Sequence, residues 1–270
     1  MKVRVENADL NVDVTGGREP LILIHGIGAD LTLWNEIMPY FKDYKVVRYD
    51  LRGSGKSDFP RDPPLSVEQW AKDLEELMNE LGIRDAHLLG WSLGGIISLQ
   101  FCLNFPERVK SLVLVGTTTR LQPSAIALFE ERAKLAETLG MHVLVEKTFH
   151  MTEQSFAPSV REKHPEKLRI FRTMLENHDK DRYAAIARAL VKADLTDRLS
   201  DIQNPTLIVV GQYDARTPLA DSELMSMQMP HSLMKIIPDC GHFYPLEQPE
   251  IFSNIVRSFL SAFATKKDIH

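Results

Sequence analysis

A serine hydroxyl becomes a nucleophile when a histidine takes its proton and a carboxylate orients that histidine. This chain carries all three residue types where they could meet. Residues 90–95 read Gly90-Trp91-Ser92-Leu93-Gly94-Gly95, after the apolar run Ala86-His87-Leu88-Leu89 and before the helix-like stretch Ile96-Ile97-Ser98-Leu99-Gln100-Phe101. A strand that turns at once into a helix strains the residue at the turn, and the positions two residues away on either side must carry no bulk. Gly90 and Gly94 meet that requirement, so Ser92 is the candidate nucleophile. The amide of Leu93 falls among the unpaired donors of a helix start, where developing negative charge is stabilised. A bare G-x-S-x-G string arises by chance in glycine-containing loops, but much less often between a strand and a helix.

In a fold with this strand–turn–helix elbow the acid and the base should follow in the order serine, acid, histidine, each after a strand. Asp214 stands in Gly211-Gln212-Tyr213-Asp214 after the β-rich run 206–210, and His242 in Asp239-Cys240-Gly241-His242 after the run 233–237. Singly, these read as a turn aspartate and a loop histidine; three ordered residues at three strand ends are a much rarer coincidence. Asp239 is the rival acid, although its place in the histidine's own loop predicts a turn contact with that histidine. Asp194 and Asp197 are weaker rivals. A tetrahedral intermediate needs a second amide donor, and His25-Gly26-Ile27-Gly28 follows the strand 21–24 where such a donor belongs, which assigns it to Ile27. His25 itself is expected to bond nearby backbone. His87, His142, His150, His164, His178, His231 and His270 read as core, surface or tail residues.

The elements that must position these groups alternate. Residues 1–6, 21–24, 45–49, 86–89, 111–115, 206–210 and 233–237 read as strands. Residues 31–41, 66–81, the stretch after Ser92 to about Phe105, 219–227 and 251–263 read as helices. In 66–81, Ser66 and Gln69 are spaced as a capping box, and Gly82 follows the end. This alternation predicts an α/β fold: a mostly parallel central sheet with helices on both faces. From Pro123 to Ser200 the pattern is nearly all helical, as expected for a lid over the sheet's carboxyl edge, where open α/β folds bind ligands. The predicted organisation is a core of residues 1–117 and 204–270 with a helical lid at 118–203. Trp34, Trp91, Phe129, Phe149, Phe156, Met151 and Met174 are candidate pocket walls, with plain core packing as the competing reading.

The chain has 270 residues, 44% hydrophobic and 26% charged, with a formal net charge of -5. That suits one large domain or a domain with an insertion, and without a basic stripe it argues against nucleic acid as a partner. No apolar run nears the roughly 18 residues that span a bilayer, and residues 1–6 lack a secretory signal's apolar stretch. Cys102 and Cys240 are too few for a disulfide framework, although one bond between them stays open. A cytoplasmic enzyme is expected. Gly53-Ser54-Gly55-Lys56-Ser57 resembles the end of a phosphate-binding loop, but Asp50 would occupy its first glycine position and repel phosphate. The histidines and cysteines lack metal-ligand spacing, so neither metal nor cofactor is expected. Residues 266–270 read as a frayed tail.

Along nearly its whole length the chain resembles the α/β-hydrolase family. Beyond Ser92 and its neighbours, Arg48-Tyr49-Asp50-Leu51-Arg52-Gly53-Ser54-Gly55-Lys56-Ser57 is similar to the loop after the fourth strand of these hydrolases. Gly241-His242 with Glu247 and Pro249 resembles their histidine loop. Asp194-Leu195-Thr196-Asp197-Arg198-Leu199, leading to Pro205, Asp214, Thr217 and Pro218, is similar to 3-oxoadipate enol-lactonases and related esterases. Trp91 and Leu93 depart from the methionine-containing turn of enol-lactonases and look more like carboxylesterases acting on methyl esters. The expected activity is cofactor-free hydrolysis of a small ester or lactone through an acyl-enzyme. The same triad also supports carbon-carbon hydrolysis of ring-cleavage products, or a slow-turnover ligand receptor.

Overall fold

The computed structural model describes residues 1–263, so the tail expected at 266–270 lies outside the described residues. Eight strands form one sheet: β1 (Lys2–Val5), β2 (Ala8–Val14), β3 (Glu19–Ile24), β4 (Tyr44–Tyr49), β5 (Ala86–Trp91), β6 (Val109–Val115), β7 (Thr206–Gly211) and β8 (Ser232–Ile237). Their spatial order is β1-β2-β4-β3-β5-β6-β7-β8. The pairings of β2 with β1 and with β4 are antiparallel and every other pairing is parallel. β2 is an addition to the pattern reading. Its buried Ala8, Leu10 and Val12 alternate with partly exposed residues, as in a strand with one face on the core.

β5 and β7 are buried at every position, the condition of a parallel strand with helices on both faces. Leu21 and Leu23 pack into one apolar layer and Ile22 and Ile24 into the other, so each layer takes alternate side chains. The layer under Ile22 and Ile24 receives α1 (Val67–Glu80), α2 (Leu93–Asn104) and Met225 of α7 (Leu219–Gln228). The opposite layer receives Phe252, Val256 and Leu260 of α8 (Pro249–Ser261).

Only half of the capping box at the start of α1 forms. Ser66 accepts from the amide of Gln69 at 3.1 Å, but the Gln69 amide group donates to Asp73 Oδ1 at 3.0 Å. Asp73 in turn holds Arg52, whose Nε and Nη2 donate to its two oxygens at 2.7 and 2.5 Å, and both side chains are buried. The helix expected over 31–41 is instead two short 3-10 turns, Leu31–Trp34 and Met38–Phe41. Pro39 has no amide to continue an α-helical ladder. The loop that mimics a phosphate site closes on Asp50, whose carboxylate accepts from the amides of Leu31 and Lys56, each at 2.8 Å.

Between β6 and β7 lie α3 (Pro123–Glu153), α4 (Pro158–Lys163), α5 (Pro165–Glu176) and α6 (Lys180–Leu190). Gly140, with φ 84°, breaks α3 in two, and Pro158 and Pro165 each open a helix, where a missing amide costs nothing. An isolated bridge between Arg120 and Asp194 joins the two ends of this insertion. Among the described residues no helix is long and apolar enough to cross a membrane. Cys102 and Cys240 are free and buried, so the bond left open between them does not form.

Asp73→Ala would leave the buried Arg52 charge without its partner. A loss of about 3–5 kcal/mol in urea-unfolding free energy is expected; a loss below about 1 kcal/mol would show that the pair does not hold this part of the core.

Candidate active site

Ser92 is the single residue between β5 and α2, and it sits at φ 55° and ψ -120°. A Cβ at Gly90 would lie 2.3 Å from the Gly94 carbonyl oxygen, and one at Gly94 would lie 2.0 Å from that of Ile24. The clearance read from the sequence is therefore a backbone-to-backbone contact that only glycine permits. The Ser92 amide donates to Val115 O at 3.0 Å, and its carbonyl accepts from Thr117 Oγ1 at 2.7 Å. A Cβ on Gly26 would stand 2.9 Å from Ser92 Cβ, so the loop carrying Ile27 lies against the serine.

Asp214 follows β7 and is buried. Its Oδ2 accepts from His242 Nδ1 at 2.9 Å, Tyr244 OH at 2.7 Å and Thr217 Oγ1 at 2.8 Å. Its Oδ1 accepts from the amides of Arg216 and Thr217 at 2.9 and 3.0 Å. Burial alone would raise the carboxyl pKa, but the facing His242 and these donors win and hold it below the ordinary value. Tyr244 accepts from the Gly211 amide at 2.9 Å while donating to Asp214, and burial beside that carboxylate pushes its own pKa well up. The rival acids lie elsewhere. Asp239 is exposed, and the expected turn contact with His242 is replaced by backbone bonds to Gln212 and Gln248. Asp194 accepts from the Thr196 amide, and Asp197 lies in a 3-10 turn beyond α6.

His242 is fixed from three sides. Its amide donates to Ser155 O at 2.7 Å, its carbonyl accepts from Trp91 Nε1 at 2.7 Å, and its ring lies 5.1 Å from the Trp91 ring. Glu247 anchors the rest of the loop by accepting from the amides of Gly241 at 3.0 Å, Phe243 at 2.8 Å and Ala157 at 2.7 Å. Burial raises its pKa, and the three amides pull the other way. His25 takes the structural place expected of it: Nδ1 donates to Gly26 O at 2.8 Å and Nε2 accepts from the Leu51 amide at 3.0 Å. Burial lowers its pKa, consistent with a neutral ring.

A model of the alpha/beta hydrolase fold matches residues 19–249. The chain belongs to that family. It is 28% identical over 247 residues to 3-oxoadipate enol-lactonase 2 of Acinetobacter baylyi, covering 91% of this chain and 90% of that one. Among solved structures, a thermophilic esterase from Thermogutta terrifontis superposes with a TM-score of 0.88 at 31% identity, over 96% of this chain and 95% of that one. An enol-lactonase from Burkholderia xenovorans superposes at 0.90 with 26% identity, over 97% and 100%.

As in other open α/β folds, the hydrolase core has a cavity at the carboxyl edge of its sheet, here of about 390 Å³. Ser92, Leu93, Ile27, His242, Trp91, Phe129 and Met151 all line it. Trp34, Phe149, Met174 and Phe156 do not: they are buried in the apolar layer under the insertion. Phe149 stacks under Arg172 at 5.3 Å, and Phe156 on Phe243 at 4.1 Å between ring centroids. Their apolar character fitted either wall or core, and packing made them core. Sequence reasoning missed Thr117, Phe171, Phe243 and Arg216 in the lining. Adjacency to Asp214 and His242 was the one signal available for Arg216 and Phe243. Among the described residues no group of three or more His, Cys, Asp or Glu side chains is arranged to hold a metal.

Two outcomes follow from these bonds. Because the Asp214 pKa is lower folded than unfolded, its contribution to stability is present at neutral pH and drains away as pH falls below about 4. Urea titrations at pH 7 and pH 3 should show that loss in the parent and a smaller one in Asp214→Asn. Glu247→Ala strands three buried amides and is expected to cost about 2–4 kcal/mol in the same measurement; a cost near zero would mean that the loop is held by other contacts.

Proposed function

We propose that this chain is a serine hydrolase that cleaves a carboxylic ester or lactone of a small substrate through an acyl-enzyme. The observation that carries this reading is the bond from His242 Nδ1 to the buried Asp214, with Ser92 and His242 lining the same cavity. With Nδ1 committed to Asp214, the lone pair that can take a proton is on Nε2. As Ser92 Oγ attacks the carbonyl carbon, its proton passes to Nε2, and the oxyanion is held by the amides of Leu93 and Ile27. Leu93 opens α2, where amides lack intrahelical acceptors. Collapse of the intermediate expels the alcohol, which leaves with the proton from His242. Water then gives a proton to His242 and attacks the acyl carbon, and Ser92 departs with that proton. No cofactor is required.

Residues 118–203 act as the lid of this enzyme. A cavity of about 390 Å³ suits a small molecule rather than a polymer, and relatives named as enol-lactonase and esterase support the ester or lactone class. The free, buried Cys102 and Cys240 suit a reducing, cytoplasmic setting.

The test is a fluorophosphonate probe combined with turnover of a short p-nitrophenyl ester. The parent protein should label rapidly and turn over. Ser92→Ala should neither label nor retain more than about one part in 10⁴ of the rate, with its circular dichroism unchanged. Labelling without turnover would favour the slow receptor, and a Ser92→Ala protein that still turns over the ester would end the serine assignment.

A further inference from the structure

The proposed mechanism leaves one cation of the cavity without a task. Arg216, two residues after Asp214, lines the same cavity as Ser92 and His242. Its Nε donates to Ser155 Oγ at 2.9 Å and its Nη2 to Thr152 Oγ1 at 2.8 Å, both neutral acceptors on the insertion. Among the described residues no carboxylate forms an ion pair with it. Asp214, the carboxylate whose charge acts on it, already accepts five bonds from the His242 ring, two hydroxyls and the amides of Arg216 and Thr217. Arg216 Nη1 is left over.

A second guanidinium stands behind it. Arg132, on α3 three residues after the cavity-lining Phe129, is buried; its Nε donates to Tyr183 OH at 3.0 Å, and its Nη1 is buried without a partner. Burial and the Arg132 charge together pull the Arg216 pKa down to about 10, which leaves it charged at neutral pH. A buried cation beside a half-buried one, both with only hydroxyl partners, builds a positive potential that an anion entering the cavity would relieve. Stitching two hydroxyls to the core would need only a neutral donor, and a neutral ester needs no cation in its pocket.

We infer that Arg216, backed by Arg132, is the subsite for a carboxylate carried by the substrate, which is therefore a half-ester of a dicarboxylic acid or a lactone bearing a free carboxylate. The assignment rests on the serine-hydrolase reading and narrows it. A charge-assisted bond from a guanidinium gives orientation as well as affinity. It would hold the anionic end of the substrate at the Asp214 side of the cavity while the ester end meets Ser92.

The test compares monoethyl glutarate with ethyl 5-methylhexanoate, in which an isopropyl group replaces the carboxylate, by proton release at constant pH. The parent protein should favour monoethyl glutarate by about 30-fold or more in kcat/KM, carried mainly by KM. Arg216→Gln should collapse that ratio toward one, and Arg216→Lys should restore part of it. Equal kcat/KM values in the parent, or equal losses on both esters in Arg216→Gln, overturn the subsite and leave Arg216 as a link between core and lid. If Arg216→Gln fails to fold, inhibition of neutral-ester turnover in the parent decides. Glutarate should then inhibit at least about tenfold more strongly than its diamide, and equal inhibition refutes the subsite. If neither ester turns over and the fluorophosphonate does not label, the hydrolase reading has failed separately. Calorimetry of the parent protein with glutarate against its diamide then tests the arginine site by itself, with equal binding counting against it.

Discussion

The chain changes from strand to helix at one residue, and the surroundings of the site accommodate that turn. With no loop between β5 and α2, Ser92 must take a positive φ and the flanking glycines must touch backbone. The contact between Gly94 and the Ile24 carbonyl pins the end of β3 to the start of α2, which brings the His25–Gly28 loop against the serine. Trp91, the last residue of β5, reaches from the same turn to the carbonyl of His242. One strained position thus aligns β5 with the His25–Gly28 loop and with the loop that carries His242.

Charge burial is the second constraint. Asp214 is held as a carboxylate in the interior because five donors replace the water it has lost. One of them, Tyr244, is itself tied to the end of β7 through the Gly211 amide. Glu247 repeats the device one loop further on, spending its carboxylate on backbone amides of both the histidine loop and the insertion. Ser155 O adds a bond to the His242 amide, and a Cβ on Gly241 would lie 2.2 Å from that same oxygen. The insertion is therefore part of what orients the imidazole.

Much of the fold was legible because its signals are short-range. Alternating apolar runs and helical periodicities located six parallel strands and the helical insertion, and the glycines around Ser92 marked the turn. What was misread had a non-local cause. Residues 31–41 have helical spacing, but Pro39 withholds an amide that a continuous α-helix needs, and the first turn starts where the distant Asp50 carboxylate takes the Leu31 amide. Gln69 has the right spacing for a capping box, yet the buried Arg52–Asp73 pair claims its side chain.

The sequence by itself determined the order serine, acid, histidine at strand ends, the backbone that Ser92 must adopt, and an α/β layout with a helical insertion. These follow from sterics and periodicity within a few residues. Only the tertiary structure decided which apolar side chains face the cavity. Phe129 and Met151 do and Phe149 and Met174 do not, although all four lie in the same helical block. It also decided that Arg216 meets hydroxyls from the insertion and, among the described residues, no carboxylate. A side chain's type sets what it can bond; its partner comes from segments some sixty residues away in sequence, brought close only when the insertion folds over the sheet edge.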